Sequence, residues 1–162
     1  MVNTSVKLAV AALFCFGFAT STAMAESQEN RQAGAVSYQT SGAFDEVLAD
    51  LQDEVVNHGL VIDYVGHVND MLNRTADATG SQSPYANAVY MHFCSAALTH
   101  AAVAADPQNI ALCPYVVFAY EETGSAGTVT VGYRRPVVSG NETSELKAVE
   151  ALLEEIVTNS LQ

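Results

Sequence analysis

Cysteine and histidine are the residues of this sequence whose side chains could bind a metal or carry out redox chemistry. Of three cysteines, Cys94 and Cys113 lie beyond the apolar N-terminal segment. His92 would share a face with Cys94 in a strand, whereas His100 is six residues further on and poorly placed for one helical face. Three interpretations stay open: a Cys94–Cys113 disulfide, a copper, iron or haem site using His92 and His100, or free thiols. Covalent haem is excluded because C-x-x-C-H is absent.

Arg134 and Arg135 form the one basic cluster of an acidic chain, at the end of a strand-like segment. Adjacent strand residues face opposite sides of a sheet. One interpretation is charge balance against Glu121 and Glu122 on a partner strand. The other is an anion-binding handle in a small-ligand cleft. The aromatic walls of that cleft would be Tyr115, Tyr120 and Tyr133.

Nucleophilic catalysis requires a nucleophile within reach of a base. Ser95 is a candidate, but G-x-S-x-G is absent and a serine at this place is typical of a helix N-cap. Pairs such as Asp53/Glu54 point in different directions along a helix, and no EF-hand spacing occurs. The sequence identifies no catalytic residue and favours a protein that is not an enzyme.

The N-terminus has the layout of a secretory signal peptide. Lys7 precedes an apolar run over 8–19, and Ala23-Met24-Ala25 forms an A-x-A cleavage site. The run is about 12 residues, short of the roughly 20 that span a bilayer. We expect cleavage after Ala25, a periplasmic or secreted protein, and no stable membrane span after cleavage.

The charge of the remaining chain restricts its partners. All 18 acidic residues lie after residue 25 and Lys7 is lost, so the net charge changes from −12 to −13. A domain of this charge repels phosphate backbones and anionic lipid surfaces, which makes nucleic acid an unsuitable partner.

Hydrophobic periodicity predicts the order β-α-β-α-β-α-β-β-α in one domain over residues 35–162, after a flexible leader over 26–34. Phe44, Val47, Leu51 and Val55 follow helical spacing, and His58-Gly59 closes that helix. Val89, Met91 and Phe93 alternate with Tyr90 and His92, which predicts a strand with two different faces. We therefore expect an α+β fold: a small antiparallel or mixed sheet with helices packed mainly on one face.

Several short motifs resemble the domain of unknown function 302 family. They are His58-Gly59-Leu60-Val61, Phe93-Cys94-Ser95-Ala96, Asp106-Pro107, Leu112-Cys113-Pro114-Tyr115-Val116-Val117 and Ala119-Tyr120-Glu121. The similarity covers roughly residues 36–160. The resemblance implies a TATA-binding-protein-like α+β domain that is sometimes dimeric. It does not indicate any particular activity. Many relatives have Asn-Pro where this chain has Ser95-Ala96.

These features predict a non-enzymatic ligand-binding or accessory module without a cofactor. Its partner would be a small molecule or a protein, and a homodimer is possible. The alternative is a periplasmic redox or metal-handling protein centred on Cys94 and Cys113 with His92.

Overall fold

The computed structural model describes residues 28–138 and 143–162. They form one six-stranded sheet in which all neighbouring strands are antiparallel, in the order β1-β2-β6-β5-β4-β3. The strands are β1 (Glu29–Arg31), β2 (Ala35–Ser41), β3 (Ile62–His67), β4 (Tyr85–Phe93), β5 (Tyr115–Glu122) and β6 (Thr128–Arg134). The α-helices are α1 (Phe44–Asn57), α2 (Val68–Thr79), α3 (Ala96–Ala105) and α4 (Ser144–Asn159), and a 3₁₀ helix spans Pro107–Leu112.

One face of the sheet carries the hydrophobic core. Alternate residues of the four central strands, such as Met91, Val117 and Val131, are fully buried against helices α1 and α4. Leu51 of α1 and Leu153 of α4 are fully buried in the same cluster. The predicted α+β class and the helix-covered face are thus confirmed, and the sheet is purely antiparallel.

The predicted elements are present in the predicted order. Helix α2 extends to Thr79, and Gly80, whose φ of 67° is left-handed, forms its C-cap. Strand β4 begins at Tyr85, ahead of the alternating residues that predicted it. Ser95 is the N-cap of α3, as expected, since its side chain accepts a hydrogen bond from the Leu98 amide.

The stretch predicted as a flexible leader contains strand β1. Glu29, Asn30 and Arg31 pair with β2 at one edge of the sheet. Arg31 also forms ion pairs with Glu150 and Glu154 of α4. These contacts hold the segment in a strand although its local sequence is polar and has no strand pattern. The predicted signal peptide, residues 1–25, lies outside the described residues.

A disulfide joins Cys94 and Cys113, with their Cα atoms 6.2 Å apart. It links the end of β4 to the segment just before β5 and therefore closes the loop that contains α3. In the described ranges, no helix is long and apolar enough to cross a membrane.

Candidate functional site

The structure does not bring the predicted arginine and tyrosine residues into one cleft. Tyr115 and Tyr133 are buried on the helix-covered side of the sheet, whereas Tyr120 lies on the opposite side. Arg134 donates to the Pro114 carbonyl, and Arg135 donates to Glu150 Oε1 at 2.9 Å. Charge balance therefore does occur for Arg135, but with α4 rather than with the partner strand.

Tyr133 belongs to a polar network that ties α4 to the sheet edge. The hydroxyls of Tyr133 and Tyr38 both donate to the carboxylate of Glu154, which Arg31 also contacts at 3.3 Å. Burial, and then the hydrogen bond to Glu154, raise the pKa of both tyrosines well above the usual 10. These hydroxyls are occupied by internal partners, so we assign them a structural role.

His92 and His100 are separated by the fold. The His92 ring lies on the side of the sheet away from α1 and α4, with its centroid 5.0 Å from that of Tyr90. His100 is exposed on α3. Within residues 28–138 and 143–162, no group of three histidine, cysteine, aspartate or glutamate side chains is placed to hold a metal ion.

The side of the sheet opposite α1 and α4 carries a layer of aromatic side chains, which we call the aromatic face. Neighbouring rings lie close: the centroids of Tyr64 and Tyr90 are 5.9 Å apart, and those of Tyr85 and Tyr120 are 5.3 Å apart. The rings of Phe118 and Tyr120 are nearly parallel, with an interplanar angle of 15°. The aromatic face consists of Tyr64, Tyr85, Tyr90, His92, Phe118 and Tyr120.

Two glycines lie beneath this layer. Gly66 of β3 is paired with Tyr90, and a Cβ atom at Gly66 would overlap the Tyr90 ring. Gly132 of β6 is paired with Phe118, and a Cβ there would lie 2.6 Å from Phe118 Cζ. Each ring therefore rests on its neighbouring strand where a side chain is missing. Its other side faces away from the sheet.

Sequence reasoning missed the role of both glycines. A glycine inside a strand pattern does signal the close approach of another group. Which group approaches depends on strand register, which a single sequence leaves open. The two-faced character of β4 was correctly predicted, since Met91 and Phe93 are buried whereas Tyr90 and His92 are only partly covered.

A groove of three adjoining depressions runs across the aromatic face. The first, about 380 Å³, lies between α2 and the ring of Tyr90, and the second, about 200 Å³, is bounded by Tyr85, Tyr90, Phe118 and Tyr120. The third, about 290 Å³, continues from Tyr120 to the edge strand β1. Tyr90 borders both of the first two depressions and Tyr120 both of the last two, so neighbouring depressions meet at these rings.

The floor of the groove is uncharged in its middle part. Ala88 is buried at the floor of the second depression, and no acidic or basic residue lines that depression. Desolvation raises the pKa of the Tyr90 hydroxyl, and the neighbouring Tyr64 raises it further. At the α2 end, Asp70 and Arg74 bring opposite charges to the rim. The groove is thus suited to an uncharged ligand.

The chain matches a family model, "Domain of unknown function DUF302", over residues 36–160. The chain belongs to the DUF302 family. It is also similar to the crystal structure of an uncharacterized conserved DUF302 protein from Bacillus stearothermophilus, at 15% sequence identity and a TM-score of 0.64. That match covers 78% of this chain and 97% of the other. At this identity the likeness shows a shared fold. No curated protein matches the chain.

Proposed function

We propose that this DUF302 protein is an exported, non-enzymatic binding module that holds an uncharged, ring-containing ligand against its aromatic face. The observation that carries this proposal is the placement of the Tyr90 and Phe118 rings over Gly66 and Gly132. Rings held in this way keep one apolar side towards solvent and are already ordered before a ligand arrives. Because little side-chain entropy is then lost on binding, such a surface favours association.

The neighbouring side chains support binding rather than reaction. The hydroxyl of Ser95, the nucleophile candidate of the sequence, accepts a hydrogen bond from the Leu98 amide at 3.5 Å and serves as a helix cap. The carboxylate of Glu154 is occupied by two tyrosine hydroxyls and Arg31. These groups are engaged within the fold, which is consistent with a module that binds without chemistry.

Export is supported by the signal-peptide layout and by the pairing of Cys94 with Cys113. Disulfides persist in the periplasm and outside the cell, where the redox environment is oxidising. Mass spectrometry of the protein recovered from the periplasm or medium tests this part. We expect a chain beginning at Glu26 and lacking two thiol protons. An uncleaved chain in the cytoplasm would contradict export.

The alternative, a redox or metal-handling site centred on Cys94, Cys113 and His92, gains no donor cluster from the described residues. It would require two free thiols and bound copper or iron in the purified protein. Thiol counting under denaturing conditions, with elemental analysis, distinguishes it from the binding module. We expect no free thiols.

The binding module itself is tested by NMR chemical-shift mapping of protein produced from the full-length chain. The probes are uncharged ring compounds: indole, adenosine and the hexamer of N-acetylglucosamine. At least one should shift the amides of β4 and β5, and Tyr90→Ala and Phe118→Ala should weaken the effect. Val56→Ala is the matched control, because Val56 is 59% exposed on α1. Absence of shifts with all three probes would contradict the proposal.

A further inference from the structure

We infer that the ligand of the aromatic face is a neutral glycan chain lying across the strands along the groove. This inference rests on the proposed function and narrows it to one chemical class. Three properties of the groove point to a glycan: its length, the side chains that line it, and its charge.

The groove is longer than a single ring requires. Its three depressions reach from β3 at one edge of the sheet to β1 at the other. Neighbouring strands lie about 4.8 Å apart, so six strands span about 24 Å. A linear ligand with several linked rings would occupy this length, whereas a single ring would fill only one depression.

The lining changes along the groove in a way that suits sugar rings. A pyranose ring has an apolar face of C–H groups and a rim of hydroxyls. The rings of Tyr90, Phe118 and Tyr120 provide apolar stacking surfaces in the middle of the groove. The depression beyond Tyr120 is lined instead by hydroxyl and amide side chains, which can donate to or accept from sugar hydroxyls. These side chains are Gln28, Asn30, Ser37, Gln39 and Thr130. Glu29 also lines this depression, and its carboxylate accepts a hydrogen bond from Arg31.

The charge distribution argues against other ligands with stacking rings. Single-stranded nucleic acid also stacks on aromatic side chains, but its binding requires a positively charged groove. Here the middle depression has no basic residue, and the chain has a net charge of −12. Arg74 at the α2 end is accompanied by Asp70. A neutral glycan meets no such electrostatic penalty.

The test measures the affinity of defined oligosaccharides by isothermal titration calorimetry. The ligands are N-acetylglucosamine oligomers of one, three and six units, with maltohexaose as a second hexamer. We expect affinity for at least one series to rise with chain length. Phe118→Ala should weaken hexamer binding about tenfold or more, which corresponds to the loss of one stacking contact.

Two variants and one control test where the glycan lies in the groove. Gln39→Ala should weaken binding of the hexamer about threefold and leave the trimer unaffected, because Gln39 lines only the polar end. Tyr90→Ala should weaken both ligands. Val56→Ala, on the helix-covered side, should change neither. Circular dichroism of each variant confirms that the fold is retained.

The outcomes separate this inference from the proposed function. Shifts on β4 and β5 with indole or adenosine, but with neither hexasaccharide, overturn the glycan and leave the binding face intact. A dimer in sedimentation that dissociates on Phe118→Ala overturns the glycan in favour of a second copy. Binding of no probe to any variant or to the wild type overturns both proposals.

Discussion

The ring of Tyr90 lies directly over Gly66, its partner residue on the adjacent strand. The same relationship links Phe118 of β5 to Gly132 of the adjacent strand β6. Each pairing keeps an aromatic ring against the sheet at a position where any other residue would push it off. The aromatic face therefore depends on strand register as much as on the aromatic residues themselves.

Gly66→Ala should displace the Tyr90 ring and weaken ligand binding, with a small effect on stability. The three atoms nearest to the added Cβ all belong to the Tyr90 side chain, which can rotate outward. The expected loss in free energy of unfolding is below about 1 kcal/mol. Urea unfolding and NMR titration with the N-acetylglucosamine hexamer measure the two effects. Equal binding by Gly66→Ala and wild type would contradict the proposed role of this glycine.

Gly132→Ala should destabilise the fold more than Gly66→Ala. Its Cβ would overlap the backbone carbonyl of Val36 as well as the Phe118 ring, and the backbone cannot rotate away. We expect a loss of about 2–4 kcal/mol in urea unfolding. Gly34→Ala is the control, because a Cβ there meets no atom within 4 Å. Similar losses for Gly34→Ala and Gly132→Ala would show that the contact is unimportant.

Glu154→Gln should destabilise the protein by about 1–3 kcal/mol. The substitution replaces the carboxylate that accepts hydrogen bonds from Tyr38 and Tyr133. It also removes the negative charge that attracts Arg31. Glu155→Gln is the matched control, since Glu155 is the next residue of α4 and its side chain is 65% exposed. Urea midpoints of the two variants provide the comparison. Equal midpoints would contradict the network's contribution.

The stability of the fold should decrease at acidic pH, partly because of Glu150. Arg135, through a hydrogen bond, is the main cause that lowers the pKa of Glu150 below the usual 4.5. A carboxyl with a lowered folded-state pKa stabilises the fold above its unfolded pKa, and this contribution is lost as the pH falls through the folded value. Glu150→Gln should therefore lose less stability than wild type between about pH 6 and about pH 3. Parallel pH profiles would contradict the assignment.

Removal of the disulfide should destabilise the fold by about 3 kcal/mol, the loop-closure value for a separation of 19 residues. The variant is the double replacement of Cys94 and Cys113 by serine. Because neither cysteine lines the groove, ligand binding by the folded variant should be retained. A variant that folds normally but loses binding would indicate a functional role for the disulfide.

The sequence predicted the order of most elements because periodic burial controls local structure. Phe44, Val47, Leu51 and Val55 are buried on one side of α1, as their helical spacing requires. Strand β1 could not be predicted, because its polar residues are held by pairing with β2 and by the distant carboxylates of α4. Such long-range contacts leave no local pattern in the chain.

The candidate site was predicted only in part. Tyr120 lines the groove, whereas Tyr115 and Tyr133, which the sequence placed in the same cleft, point into the core. The difference follows from alternation along β5 and from the register of β6. The role of Gly66 and Gly132 depends on which residues they pair with on the neighbouring strands. The residue type alone does not predict which face of the sheet a tyrosine occupies.

The most direct test of the binding face places a fluorescent residue in that face. The chain has no tryptophan, so Phe118→Trp introduces a single one over Gly132. Its emission should change on titration with the N-acetylglucosamine hexamer, and the additional change Tyr90→Ala should suppress that response. An emission spectrum that the hexamer, indole and adenosine all leave unchanged would contradict the claim that this face binds a ligand.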